Sequence, residues 1–202
     1  MKWKLSLVMV VFLIAGIGSV NAQKIILESG DGSVIKEEKK LNIEFDYSEF
    51  GVGKFPKEED YVKQKVDEYN AKEPGKGDKW HQSWIGDRKS RFEPKFLELI
   101  NKGLEKKGMV VSANPEAKYT LKVKTTFVEP GFNVGVMKRP AAVSFKYIFY
   151  ETANPSNVVA VYFQNTVPGS QFGGYDFDVG TRVAESYAKG GKMLAAMISK
   201  MK

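Results

Sequence analysis

The chain of 202 residues contains no cysteine and a single histidine. The first absence removes disulfides, zinc–thiolate sites, iron–sulfur clusters and thiol nucleophiles together. The second leaves any histidine-based metal site to be completed by carboxylates alone. A triad through His81 also lacks its nucleophile, because no G-x-S-x-G elbow exists and Gly169-Ser170-Gln171-Phe172-Gly173 fails the spacing. Gly51-Val52-Gly53-Lys54 lacks the earlier glycine and the following Ser or Thr of a phosphate loop, so it reads as a strand-exit turn. No pair of carboxylates is singled out for glycoside hydrolysis. Asp176 and Asp178 stand near a helix start, with Glu185 beyond, but calcium asks for six or more oxygen ligands. Asp178 is better read as a helix cap. No catalytic residue, metal or cofactor is expected, and His81 is read as a loop residue.

What the chain does have begins at its amino terminus. Lys2 and Lys4 precede an apolar stretch over residues 5–17, and Val20-Asn21-Ala22 is a small-residue cleavage site before Gln23. An uncleaved anchor is the competing reading. Gly16 and Gly18 interrupt the stretch and no basic cluster follows it, which favours cleavage. Residues 1–22 are therefore expected to be a signal peptide, and residues 23–202 one domain, periplasmic or extracellular and not membrane-spanning once cleaved. Without cysteine there is no lipid attachment after the signal. The whole chain carries 31 Lys and Arg against 24 Asp and Glu; without Lys2 and Lys4 the balance is 29 against 24, or +5. That excess is spread along the chain and fits plain solubility. Nucleic acid is excluded by the compartment.

The patterning predicts an α+β fold. Residues 24–28 and 33–36 flank Ser29-Gly30-Asp31-Gly32 and suggest a small hairpin. Residues 41–47 alternate apolar and polar, as a half-buried strand does. Residues 58–72 carry a helical stripe of Tyr61, Val62, Val66 and Tyr69, and residues 73–87 read as a connector in which Trp80 and Trp84 staple it to the body. Ser90-Arg91-Phe92-Glu93 fits a capping box for a second helix, which Gly108 ends. Strands follow at 119–127, 143–150 and 158–166. A tight turn at Asn154-Pro155-Ser156-Asn157 makes the last two antiparallel. Residues 179–201 close the chain as a long helix. Its Ala184, Ala188, Gly191 and Ala195 form a small-residue strip suited to close approach to the sheet. The expected whole is an antiparallel sheet of about four or five strands with helices on one face, in the order strand, helices, three-strand meander, helix.

That topology points to one end of the fold. In a meander, the loops at 129–141 and 168–177 leave the same end of the sheet. They carry Phe132, Val134, Val136, Met137, Phe172, Tyr175 and Phe177, with Lys138 and Arg139 beside them and glycines between. An apolar, Gly-rich end rimmed by cations suits a partner protein, a peptide or an amphiphile. The partner-binding candidates are Phe132, Val134, Met137, Lys138, Arg139, Phe172 and Tyr175; the alternative is that these side chains cap the core. Lys122, Lys124, Lys146, Tyr150, Tyr162 and Gln164 are placed on a wet sheet face, read as solvated.

The run Tyr119-Thr120-Leu121-Lys122-Val123-Lys124-Thr125-Thr126-Phe127-Val128-Glu129-Pro130-Gly131-Phe132, with Gly173-Gly174-Tyr175-Asp176-Phe177-Asp178 and Arg182-Val183-Ala184-Glu185-Ser186-Tyr187-Ala188-Lys189, resembles an uncharacterised family of exported proteins of Gram-negative bacteria. From Phe92 onward the layout is also similar to the α/β domain of TolB amino-terminal regions and CsgG-like envelope lipoproteins. Neither resemblance implies catalytic residues. Lipidated relatives carry a cysteine after the signal and this chain does not. The expectation is a non-enzymatic periplasmic or secreted interaction module serving an envelope assembly, with an envelope protein or peptide as partner. The alternatives are a binder of a small or amphipathic ligand and, behind it, a carboxylate-dependent hydrolase.

Overall fold

The computed structural model describes residues 24–133, 137–169 and 178–201. The expected signal segment lies outside them, as do Val134, Val136, Phe172, Tyr175 and Phe177. Strands β1 (Ile25–Gly30), β2 (Lys40–Asp46) and β3 (Gly51–Val52) come first. Helices α1 (Glu58–Asn70), α2 (Lys76–Asp87) and α3 (Glu93–Leu104) follow, then β4 (Val110–Ser112) and β5 (Tyr119–Glu129). A short β6 (Phe132–Asn133) and β7 (Lys138–Arg139) precede β8 (Ala142–Glu151), β9 (Asn154–Pro168) and α4 (Val179–Ser199).

The class is α+β, as the patterning predicts, but the sheet is larger and mixed. It has seven strands in the order β1-β9-β8-β5-β2-β4, with β3 beside β5. The meander β5–β8–β9 is antiparallel, and β1 adds to β9 antiparallel. β2 lies parallel to both β4 and β5, the helices α1–α3 standing between β2 and these strands in the chain and supplying the long crossover that parallel pairing needs. The short β3 and β4 are too brief for an alternation to show in the sequence.

Alternation sets the two faces of the sheet. Leu121, Val123 and Thr125 of β5 are buried while Lys122 and Lys124 are half-buried. A bulge between Thr125 and Phe127 then resets the pleat. Val128 takes the inward place, and Phe127, next in the alternation of Leu121, Val123 and Thr125, turns instead to line a groove beside the sheet. On β9, Tyr162 and Gln164 face the helices and are buried, contrary to the wet-face expectation. Tyr162 pairs with Tyr147 in register, and the Tyr147 hydroxyl donates to Gln164 Oε1 at 2.6 Å. Lys122, Lys124 and Lys146 do stand on the open face, each beside a carboxylate: Glu44 at 3.8 Å, Glu49 at 3.7 Å and Glu28 at 2.9 Å. Tyr150 shares that face but, contrary to the solvated reading, is buried, and its hydroxyl donates to Glu44 Oε2 at 2.6 Å.

Helices α3 and α4 cover the other face. The Phe96 ring meets Phe45 at 5.6 Å, Tyr147 at 6.2 Å and Phe145 at 6.3 Å. Tyr187 stacks on Phe92 and meets Phe145 edge-on, both at 5.0 Å, and its hydroxyl shares a 2.5 Å hydrogen bond with Thr125. The small-residue strip of α4 faces α3 more than the sheet. A Cβ at Gly191 would sit 2.5 Å from the Phe96 carbonyl oxygen, and one at Gly103 would sit 2.5 Å from Ala195 Cβ. Gly190 takes the sheet side, against the Phe145 ring.

Three local expectations give way to packing. Residues 33–36 do not pair as a hairpin arm: Gly32–Ile35 is a 3-10 turn, with the Asp31 carboxylate accepting from the Ser33 amide and Ile35 buried. The expected connector at 73–87 is largely α2, because Trp80 and Trp84, one turn apart, stack at 5.7 Å and close on Tyr61 and Tyr69 of α1. His81 accordingly stands exposed on a helix, not a loop. The expected capping box is not a helix start either. A π-turn over Arg88–Phe92 carries α2 directly into α3, and the Ser90 hydroxyl donates back to the Gly86 carbonyl.

Candidate functional site

The two loops singled out by topology do leave the same end of the sheet. Glu129 pairs with Ala142 and Ala142 with Pro168, whereas Glu151 and Asn154 pair at the opposite end. The Gly169 amide, first residue beyond β9, donates to the Ala141 carbonyl at 2.8 Å, so the described roots of the two loops touch.

The first loop contains the two-stranded hairpin β6–β7, in which Phe132 pairs with Arg139 and Asn133 with Lys138. Its base is fixed from three directions. The Glu129 carboxylate accepts from the Gly131 amide at 3.0 Å and holds Arg139 at 3.3 Å. The buried Arg182 of α4 donates to the Pro130 carbonyl at 3.1 Å. Gly131 has φ +64, and a Cβ there would strike the Arg139 carbonyl and the Ala141 amide, so the tight return of the chain demands glycine. Above this anchored base Phe132 is 42% exposed and Met137 61% exposed. Arg139 is exposed as well, although its guanidinium is engaged by Glu129. The structure therefore brings Phe132, Met137 and Arg139 together, with Lys138 placed between the latter two by its backbone. Val134, Phe172 and Tyr175 lie outside the described residues. Among the described residues of this loop Phe132 and Met137 are exposed, whereas Pro130 and Ala141 are buried.

Two grooves flank the hairpin base and share Pro140. One, of about 750 Å³, runs between the hairpin, β3 and α1 and is lined by Phe55, Tyr61, Phe127, Lys54, Lys65 and Arg139. Burial, and then the charges of Tyr69, Glu129 and Glu68, push the Tyr61 hydroxyl pKa well up against the opposing pull of Arg182, so it stays a neutral donor. Thr166 stands at its rim with φ +48, the one non-glycine residue with positive φ among the described residues. The other groove, of about 850 Å³, follows the outer side of α4, with Leu99, Pro168, Ala188 and Met193 in its wall and Lys189 and Lys192 at its edge. Sequence reasoning missed both grooves, because each is assembled from elements far apart in the chain. The bulge that turns Phe127 outward gave no signal in the alternation.

Glu129 is engaged by Arg139 and Gly131, and Glu185 is the single carboxylate among the described residues that line the groove along α4. A third depression at the start of α1 gathers Glu49, Glu58, Glu59 and Asp60. There Glu58 is held by Arg88 and the Trp84 indole, and Glu49 by Lys124. The other two acids stand in the first turn of α1, where they favour the positive end of the helix. Asp178 is a cap, as its position suggests: it accepts from the Gly180 amide at 3.0 Å and the Thr181 hydroxyl at 2.9 Å, and pairs with Arg91. Burial works to raise its pKa, but those hydrogen bonds and the Arg91 charge outweigh it and hold the carboxyl below its usual range. Among the described residues no group of three or more His, Asp or Glu is arranged to hold a metal, and no helix is long and apolar enough to cross a membrane.

No family model matches the chain, and no curated protein matches it. Among solved structures the chain is similar to two of PelC from Paraburkholderia phytofirmans, both described as dodecamers. One, in space group P6, shares 13% identity at a TM-score of 0.39, covering 85% of this chain and 96% of that one. The other, a point variant in space group C2, shares 13% identity at a TM-score of 0.37, covering 82% and 96%. At this level the likeness is no guide to what the chain binds or how it assembles.

Proposed function

We propose that the protein is an exported, non-enzymatic interaction module that engages an envelope protein or peptide through the β6–β7 end of its sheet. One observation carries the reading: Phe132 and Met137 remain exposed on a hairpin whose base is tied down by Glu129, Arg139 and Arg182. Tying down the base of the hairpin lowers the ordering cost of presenting Phe132 and Met137 to a partner. Exposed Phe and Met beside Arg is the composition of a contact surface more than of a solvated loop. The amino-terminal signal supports a periplasmic or secreted setting, and the commitment of Glu129 and Glu58 to cationic partners supports a binding role over carboxylate catalysis.

Pull-down from envelope fractions with the native chain and with Phe132→Ser and Met137→Ser tests it. A specific partner captured by the native chain and lost from both variants is the expected outcome; capture unchanged by both would leave the hairpin without its role. The groove along α4 favours a second reading, an amphipathic small ligand with an apolar body against Leu99 and Met193 and an anionic head at Lys189 and Lys192. Displacement of a fluorescent fatty-acid probe, weakened by Met193→Asp, would support that reading, and absence of any probe binding would remove it.

A further inference from the structure

The two edges of the large sheet are unlike. β4, at one edge, is three residues long, and shortness alone protects it from pairing with another chain. β1, at the other, runs for six residues, pairs with β9 on one side and meets no strand on the other among the described residues. Ile26 is 58% exposed and Leu27 49% exposed. As consecutive strand residues they point to opposite faces, so a strand added at this edge would cover both.

The sequence of the edge says what fits it. Laid antiparallel against a second copy of itself with Ile26 opposite Ile26, the run Lys24-Ile25-Ile26-Leu27-Glu28 sets Ile25 opposite Leu27 and Lys24 opposite Glu28, each pair occurring twice. We propose that two copies of the chain associate through their β1 edges in this register, joining two sheets into one across a two-fold axis.

The faces agree with it. Ile26 pairs with Phe163 and Phe163 with Lys146, on the open side of the sheet. Glu28, the extra residue of the β1 bulge, reaches Lys146 at 2.9 Å and so lies on that same side, as does Lys24 by its spacing from Ile26. Each Glu28 then stands between its own Lys146 and Lys24 of the second copy. The register is also selective. Slipping by two residues, the smallest shift that keeps both helix layers on one side, sets Ile26 opposite Glu28 or Lys24 and loses both charge pairs. With so few residues per side the contact is of the small, transient class.

Sedimentation velocity on the purified, processed protein between about 1 and about 500 µM tests the proposal, since a small interface demands the upper range. The native chain is expected to show a reversible monomer–dimer equilibrium. Lys24→Glu alone sets Glu opposite Glu twice, and Glu28→Lys alone sets Lys opposite Lys twice. Each is expected to weaken self-association by about 10-fold or more, like charges directly opposite being unfavourable. Mixed in equal amounts, the two variants restore opposite charges at both positions, and dimer should return to near the native level. A native chain that stays monomeric throughout, single reversals that leave the dimer intact, or a mixture as monomeric as its components would each overturn the proposal.

Discussion

Gly191→Ala is the sharpest probe of how α3 and α4 meet. On helix propensity alone it should stabilise the protein by about 1 kcal/mol, because glycine is a poor residue for a helix interior. The structure reverses that sign. An added Cβ would stand 2.5 Å from the Phe96 carbonyl oxygen, 3.2 Å from its carbon and 3.3 Å from the Ile100 amide nitrogen. All three are backbone atoms of α3, with no flexible side chain to swing aside. Nor can α3 retreat easily, since the Phe96 ring is wedged among Phe45, Tyr147 and Phe145. Forcing a methyl into such a contact costs about 1–3 kcal/mol, so the net change is a loss of about 1 kcal/mol. Gly86, near the end of α2, is the control: a Cβ there meets nothing within 4 Å. Gly86→Ala should gain about 0.5–1 kcal/mol. Urea unfolding followed by far-ultraviolet circular dichroism, with the two variants compared at a shared slope, reads the difference. If Gly191→Ala stabilises as much as Gly86→Ala does, the close approach of α3 and α4 is wrong.

Asp178→Ala removes the α4 cap and should cost about 1 kcal/mol at neutral pH, measured the same way. Because the folded pKa of Asp178 is depressed, its contribution is complete above the ordinary carboxylate range and is lost as pH falls through the lower folded value. The gap between variant and native melting temperatures should therefore close in acid. Asp87 works with the opposite sign: burial, with Asp178 nearby, raises its pKa against Arg91, so protonation relieves it as pH falls. For the amino terminus, intact-mass measurement of protein recovered after export should give a chain beginning at Gln23, and a chain still carrying Met1 would contradict the cleavage reading.

The sequence was most legible where burial has a simple period. The strands β5, β8 and β9 and the stripe of α4 follow from alternation and helical spacing, and with them the end of the sheet from which both loops leave. The turn between β8 and β9, however, falls at Thr152-Ala153, and Asn154-Pro155-Ser156-Asn157, read as that turn, is the start of β9 because Asn154 already pairs with Glu151. It was least legible where tertiary contacts override local chemistry. Ser90 and Glu93 have the spacing of a cap, yet the helix runs on through them because Phe92 stacks on Tyr187 and Trp84 is buried against Tyr61. Tyr162 and Gln164 look like residues for water, and the hydroxyl of Tyr147 satisfies Gln164 inside. The parallel pairing of β2 leaves no mark in its own alternation, since a half-buried strand reads the same in either direction. At the hairpin, Phe132, Met137 and Arg139 were visible as unusual loop residues. Their anchoring was not, because Arg182 reaches Pro130 from 52 positions away.

The claim that the β6–β7 end is the contact surface is tested most directly by photocrosslinking in intact cells. A photoreactive amino acid would be placed at Phe132, at Met137 and, as an exposed apolar control on α2, at Ile85. The expected result is a discrete adduct of one mass from positions 132 and 137 and none from 85. Silence at both hairpin positions, or the same adducts from position 85, would contradict the assignment of this end as the binding surface.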